Sequence, residues 1–330
     1  MARALGSSGP EVFDLGLGCM GMSGMYGEAD EAESVATIHA AVDRGINLLD
    51  TGDFYGMGHN ELLLGRALRS LPREQLLISV KFGAQRGPDG SWLGYDASPA
   101  AVKTAAAYSL TRLGTDYIDV YRPARLDRQV PIEETIGAIA ELVQAGYVRH
   151  IGLSEVAAET IRRAAAVHSI ADLQIEYSLI SRGIEREILP TCRELGIAIA
   201  AYGVLSRGLI SGHWSPDRQL DQRDFRRHAP RFQGENLERN LALVDALREV
   251  AQERGASVAQ IAIAWVLAQG AEIVPLIGAR RRDRLEEALG SLEVQLSDAD
   301  LEQIEHAMPA EAAAGERYAE AQMATLDSER

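Results

Sequence analysis

Eight short apolar runs, each followed by a longer stretch of helical character, constrain this chain more than any other feature. They are Phe13 to Leu17, Ile46 to Asp50, Leu76 to Val80, Tyr117 to Tyr121, Val148 to Leu153, Leu173 to Glu176, Ile197 to Ala201 and Ile273 to Leu276. The segments between them carry helix periodicity and helix ends. Glu31 to Arg44 puts Val35, Ile38, Ala41 and Val42 on one stripe, with Gly45 where a left-handed terminal residue is wanted. Pro99 and Pro131 suit first helical turns, where a missing N–H costs nothing. Ser257 with Gln260 and Ser297 with Asp300 have capping-box spacing, and Val258 to Leu267, with Trp265, is apolar on most faces. Alternating strands and helices predict an α/β protein. Eight such units without a composition break predict closure into a single (β/α)8 TIM barrel over residues 1–330.

A doubly wound open sheet is the rival. Its dinucleotide fingerprint needs GxGxxG running straight into a helix, whereas Gly16-Leu-Gly-Cys-Met-Gly21 precedes the next helical pattern by about ten residues. Those glycines fit equally well in a loop across one end of a barrel. The longest irregular stretch, about 203–235, follows the seventh strand and is expected to cover cofactor or substrate, since loops after strands build a barrel's working face. A C-terminal extension is expected after about residue 291.

Composition narrows the class of partner. With 46% apolar and 25% charged residues the chain can build a full core, and its formal charge of −15 disfavours nucleic acid. A small-molecule partner is expected. Cys19 and Cys192 lack CxxC or metal-ligand spacing, and the histidines His39, His59, His150, His168, His213, His228 and His306 are scattered, so no metal centre is expected. His213 and His228 fall in the long loop. Neither a signal-peptide core nor an uninterrupted apolar stretch of membrane length occurs, which leads to a cytoplasmic expectation without membrane contact. Oligomeric state is not readable.

Chemistry is suggested by three residues at neighbouring strand ends. Asp50 closes the second strand, Tyr55 lies in the loop after it, and Lys81 closes the third. A phenol is a poor proton donor near neutral pH; an adjacent ammonium lowers its pKa, and a carboxylate keeps that ammonium charged and in place. Spacing alone equally allows a structural Asp–Lys pair with a tyrosine packed above it.

A resemblance separates the two. Leu15-Gly-Leu-Gly-Cys-Met-Gly-Met-Ser23, Leu49-Asp-Thr-Gly-Asp-Phe-Tyr-Gly56 with Asn60-Glu61, and Ser79-Val-Lys-Phe-Gly83 resemble the aldo-keto reductase superfamily, in the bacterial and plant branch with a Gly-Cys-Met-Gly-Met-Ser opening. The resemblance continues through Tyr117-Ile-Asp-Val-Tyr121, Gly146 to Ser154, Gln174-Ile-Glu-Tyr-Ser178 and Pro275 to Arg280, and so covers nearly the whole chain in order. It implies a (β/α)8 barrel that binds NADPH, with NADH less favoured, along the C-terminal face. It implies reduction of an aldehyde or ketone with Tyr55 as general acid, Lys81 lowering its pKa and Asp50 supporting Lys81. The family's histidine after the fourth strand is matched here by Ala124, within Tyr121-Arg-Pro-Ala-Arg125. Loss of one donor to the reacting oxygen costs about a hundredfold in rate unless another group, such as Arg122 or Arg125, replaces it.

The same resemblance implies the cofactor contacts. Tyr202 stacks on the nicotinamide while Ser154 and Gln174 bond its carboxamide; Glu155 stands where many members have Asn. Gly18, Gly203, Leu205 and Arg207 border the cofactor, the last three in the pyrophosphate loop, where Gly203-Val-Leu-Ser206 replaces the usual Ser-Pro-Leu-Gly. Gly278, Arg280, Arg284 and Glu287 form the adenosine-phosphate segment, with Ala288 in place of its usual asparagine. The alternatives are a nicotinamide-binding redox sensor with little turnover, or a reductase of an activated C=C or C=N bond.

Overall fold

The computed structural model describes residues 2–222 and 224–329. Met1, Arg223 and Arg330, which the expected 1–330 span includes, lie outside the described residues. An antiparallel hairpin, β1 (Ala2–Ala4) with β2 (Glu11–Phe13), comes first. The strands β3 (Gly16–Gly18), β4 (Leu48–Gly52) and β5 (Leu77–Phe82) follow, and a second hairpin, β6 (Ala84–Arg86) with β7 (Trp92–Tyr95), extends from the end of β5. The strands β8 (Ile118–Pro123), β9 (Val148–Ser154), β10 (Ile170–Glu176), β11 (Ala198–Tyr202) and β12 (Ile273–Ile277) complete the set. In the order β3-β4-β5-β8-β9-β10-β11-β12, with β12 returning to β3, eight parallel strands close a barrel.

All eight expected runs lie on barrel strands, with shifted ends. The first is split: Phe13 belongs to the N-terminal hairpin, and the barrel strand is the glycine run Gly16–Gly18 itself. A Cβ on Gly16 would stand 2.6 Å from Leu276 Cδ2, so close strand packing, and not a loop, requires that glycine. The N-terminal hairpin and its turn close one end of the barrel, where Leu5 and Val12 pack with Leu48, Val120, Ala198, Ala200, Val274 and Leu276.

Around the strands run α1 (Glu31–Asp43), α2 (His59–Leu68), α3 (Pro99–Leu113), α4 (Ile132–Gln144), α5 (Ala158–Val167), α6 (Ile188–Leu195), α7 (Gly234–Glu253), α8 (Val258–Ala268), α9 (Arg282–Leu289) and α10 (Asp298–Ala307). Ser257/Gln260 and Ser297/Asp300 form both expected capping boxes, and Pro99 opens α3. Pro131 is displaced from expectation: with extended ψ of 134° it caps α4 from outside its first turn. On α1 the buried stripe is Ser34, Thr37, Ile38 and Ala41, while Val35 and Val42 sit at its margin. The two hydroxyls enter because each bonds a carbonyl one turn back, Ser34 to Asp30 and Thr37 to Glu33.

The long loop after β11 is held by short turns at Ser206–Ser211, Phe225–His228 and Pro230–Phe232, and buries Trp214 against Phe232 with ring centroids 4.8 Å apart. Beyond α10 the tail returns across the strand ends, where Asp327 accepts from the Ala157 N–H at 2.9 Å and the Thr160 hydroxyl at 2.7 Å. No helix among the described residues is long and apolar enough to cross a membrane.

Candidate active site

The register of β4 and β5 explains how residues far apart in sequence meet. Asp50 pairs with Ser79 and Gly52 with Lys81, so alternation sends Asp50 and Lys81 inward at successive levels of the barrel. Lys81 Nζ donates to Asp50 Oδ2 at 2.6 Å, while Ser79 Oγ and Gln174 Nε2 donate to Asp50 Oδ1 at 2.9 and 2.7 Å. Every member is buried. Below them Arg122 donates to Asp172 at 2.7 Å and comes within 3.9 Å of Asp50. Gly152 leaves the room for this pair, because a Cβ there would stand 2.4 Å from Asp172 Oδ1 and 2.7 Å from Arg122 Nε.

Tyr55 caps this column. Its loop after β4 turns through left-handed Gly56 and Met57, and the Lys81 ammonium lies 5.1 Å from the Tyr55 ring centroid. Burial first, and then the Asp50 charge, push the phenol well above its ordinary pKa; among the groups opposing that shift is the cation Arg125. Burial pulls Lys81 down, with Asp50 opposing and Arg122 assisting. The Tyr55 phenol is thus held in its protonated form above the Lys81–Asp50 contact.

The opposite wall comes from β9, β10 and β11. Ser154 and Gln174 are register partners, and Gln174 pairs with Ala200 two residues before Tyr202. Ser154 Oγ is buried and has no hydrogen-bond partner among the described residues. The Tyr202 hydroxyl donates to Glu155 Oε1 at 2.7 Å and meets the Tyr318 hydroxyl at 3.0 Å. Gly18, paired with Asp50, borders the same opening.

Past Tyr202 the chain enters the long loop. Gly203 has φ 67°, and Ser206 and Arg207 are held at φ 44° and 57°, the sparsely populated left-handed region that functional loops often retain. Leu205 anchors this turn against the core, and Ser206 Oγ is buried without a partner among the described residues. Arg207 is already committed: it donates to Glu176 at 2.8 Å and to the Arg317 carbonyl at 3.0 Å. Gly278, Arg280, Arg284 and Glu287 follow β12, the last two on α9. A Cβ on Gly278 would meet nothing within 4 Å, and Arg280 donates to the Glu28 carbonyl at 3.0 Å. Glu287 binds Arg284 at 2.9 Å and His213 at 2.8 Å, which ties the long loop to this segment. Burial first, and then repulsion, lower the pKa of two arginines here: Arg226, Arg280 and Arg284 act on Arg218, and Arg226 and Arg281 on Arg280.

Residues 14–308 match the Aldo/keto reductase family. A probable aldo-keto reductase 1 of Glycine max is 44% identical over 317 residues, covering 95% of this chain and 90% of that protein. The chain belongs to the aldo/keto reductase family. It is thereby an NADPH-dependent oxidoreductase of carbonyl compounds. Among solved structures, glycerol dehydrogenase from Gluconobacter oxydans superposes with TM-score 0.84 at 31% identity, covering 93% of this reductase and 94% of that chain. A thermostable aldo-keto reductase in complex with epalrestat gives TM-score 0.73 at 27% identity, with 93% and 99% covered.

Sequence reasoning expected a C-terminal extension but missed that the reductase's tail reaches the site. Arg317 donates to Glu155 at 2.6 and 2.9 Å and to Glu329 at 2.6 Å, and Tyr318 lies 4.3 Å beneath the Arg207 guanidinium. The available signal was an Arg-Tyr pair alone in a tail otherwise rich in Ala and Glu. The suggestion that Arg122 could stand in for a missing donor to substrate is corrected: 1% exposed and bound to Asp172, it belongs to the barrel interior.

Proposed function

We propose that this reductase converts an aldehyde or ketone to an alcohol with Tyr55 as the proton donor. The observation that carries the reading is the Asp50–Lys81 pair, 2.6 Å apart inside the barrel, with Tyr55 seated directly above it. Because burial and Asp50 keep the phenol protonated, Tyr55 has its proton available at neutral pH for the oxygen of a carbonyl becoming an alcohol. Lys81 lies 5.1 Å from the ring centroid, and Asp50, fixed by Ser79 and Gln174, holds Lys81 in place.

The residues on the opposite wall suit a nicotinamide cofactor. The orphaned Ser154 hydroxyl and neighbouring Gln174 provide polar atoms for a carboxamide; the half-buried Tyr202 ring, on which no other ring stacks among the described residues, provides a flat surface. Gly18, Gly203, Leu205 and Arg207 would border the cofactor along the loop, and Gly278, Arg280, Arg284 and Glu287 its adenosine end. The mutually repelling arginines there favour the extra phosphate of NADPH over NADH. NADPH supplies the hydride when bound.

Ala124 occupies the position at which the family resemblance places a histidine, and its buried methyl offers no hydrogen bond. The test is NADPH oxidation against aromatic and aliphatic aldehydes and ketones by the wild type and Tyr55→Phe. The expected result is an alcohol product with kcat/KM lowered about 10²- to 10⁴-fold in the variant. Equal turnover by both proteins would remove Tyr55 from the chemistry, and NADPH binding without turnover of any carbonyl would favour a redox sensor.

A further inference from the structure

Arg125 follows Ala124 just past the end of β8 and differs from the other cations around the barrel mouth. Arg122, Arg207, Arg226 and Arg317 each have a carboxylate oxygen at 2.7, 2.8, 2.5 and 2.6 Å, respectively. Arg125 has no carboxylate within 4 Å among the described residues. Its Nη1 donates to the carbonyl of Ala124 at 2.6 Å, and its Nε is buried with no partner. The groups Tyr202, Tyr318, Glu155 and Tyr95 favour its charge and outweigh burial, and its own charge reaches both Tyr55 and Lys81. Glu155 attracts it from beyond 4 Å, but both Glu155 oxygens are already bonded by Arg317. A guanidinium with an unbonded Nε and no carboxylate within 4 Å keeps hydrogen-bonding capacity for an anion.

We propose that Arg125 binds the carboxylate of the substrate, so that the carbonyl compound reduced here is an oxo acid or a carboxylated aldehyde. The inference rests on the reductase reading above and names its substrate class. The planar fork of a guanidinium matches the two oxygens of a carboxylate. One unmatched cation balances a monoanion, whereas a phosphate dianion would call for a second. With the buried methyl of Ala124 beside it and Tyr55 across the opening, Arg125 binds the carboxylate and leaves the carbonyl to the phenol.

The test compares 4-carboxybenzaldehyde with its methyl ester in the wild type, Arg125→Gln and Arg125→Lys. The wild type is expected to prefer the acid in kcat/KM. Arg125→Gln should lower the acid-to-ester ratio about 10- to 100-fold, chiefly through KM, and Arg125→Lys should restore part of it. An unchanged ratio, including equal loss on both substrates, overturns the proposal. Benzoate is titrated calorimetrically in parallel into each protein saturated with NADP+. Binding weakened at least about tenfold by Arg125→Gln supports the anion site even if neither aldehyde is reduced, in which case the reductase reading alone fails. Benzoate binding that is absent or equal in all three proteins overturns the anion site, while reduction of the ester would leave the reductase reading intact.

Discussion

Replacing Arg317 with alanine removes the cation that makes Glu155 tolerable inside the mouth. Glu155 is fully buried and sits at φ 53°, a left-handed conformation that a glutamate adopts only under constraint. Burial alone would raise its carboxyl pKa, but the charge and hydrogen bonds of Arg317, with Arg125 and Ser328 assisting, together outweigh burial and hold it far below the usual range. Of the carboxylates that Arg317 touches, Glu176 keeps Arg207 at 2.8 Å, and Glu329, 41% exposed, is screened by solvent. The loss therefore falls on Glu155. Breaking one side of a buried pair costs about 3–5 kcal/mol; the remaining donors from Tyr202, Ser328 and the Glu176 N–H favour about 3. With unfolding entropy near ~2.1 cal/mol/K per residue, a chain of this length has about 0.7 kcal/mol/K, so Tm should fall by roughly 4 °C. Tail cleavage by protease should rise in parallel. Because the folded pKa of Glu155 is depressed, this stabilisation is present above the unfolded carboxylate value of about 4.3 and lost as pH falls through the folded one. In Arg317→Ala burial is left to raise that carboxyl, so the Tm gap in scanning calorimetry should be widest near pH 8 and narrow as pH falls. Adding Glu155→Gln should recover at least half of the loss, since the uncompensated charge is then gone. A Tm within about 1 °C of wild type, with unchanged proteolysis, would refute the reasoning.

Two further outcomes follow from charges near the mouth. Burial, aided by Glu61, pushes Asp53 up to about 7, and a raised folded pKa contributes stability that is lost as pH rises from the unfolded value to the folded one. The Tm of the wild type should thus decline relative to Asp53→Asn between pH 5 and about 7 and level off above it; a constant difference across that range would contradict the assignment. Arg280→Gln should raise the KM for NADPH about 10-fold or more and that for NADH much less, which steady-state kinetics with both cofactors would reveal. Equal effects on the two cofactors would remove Arg280 from phosphate recognition.

The barrel was legible because each strand carries its own apolar run. Where a strand broke that pattern, the reading stopped short. β10 was placed from Leu173, but it begins at Ile170 and contains Asp172, a residue depleted from strands. Asp172 is tolerated because Arg122, 50 positions earlier, completes it inside the barrel, and nothing local in the sequence announces that partnership. Asp50, Tyr55 and Lys81 were legible for the opposite reason: each stands at or just beyond the end of its own strand, where topology alone predicts convergence. The hairpin β6–β7 went unread despite its Gly-Pro-Asp-Gly turn at 87–90, since three- and four-residue strands with Gly94 inside carry little alternation. The tail went unread because Arg317 acquires its meaning only from Glu155, 162 residues away.

The most direct measurement is the fate of the transferred hydrogen. The protein is supplied with NADPH deuterated at both C4 positions and an aromatic enone that offers C=O and C=C together, and the product is read by NMR. Deuterium on the carbinol carbon, with the transfer rate collapsing in Tyr55→Phe, is the result expected of a phenol protonating a carbonyl oxygen over the Asp50–Lys81 pair. Deuterium on the β-carbon, or transfer to the carbonyl that is as fast without the phenol, would contradict it.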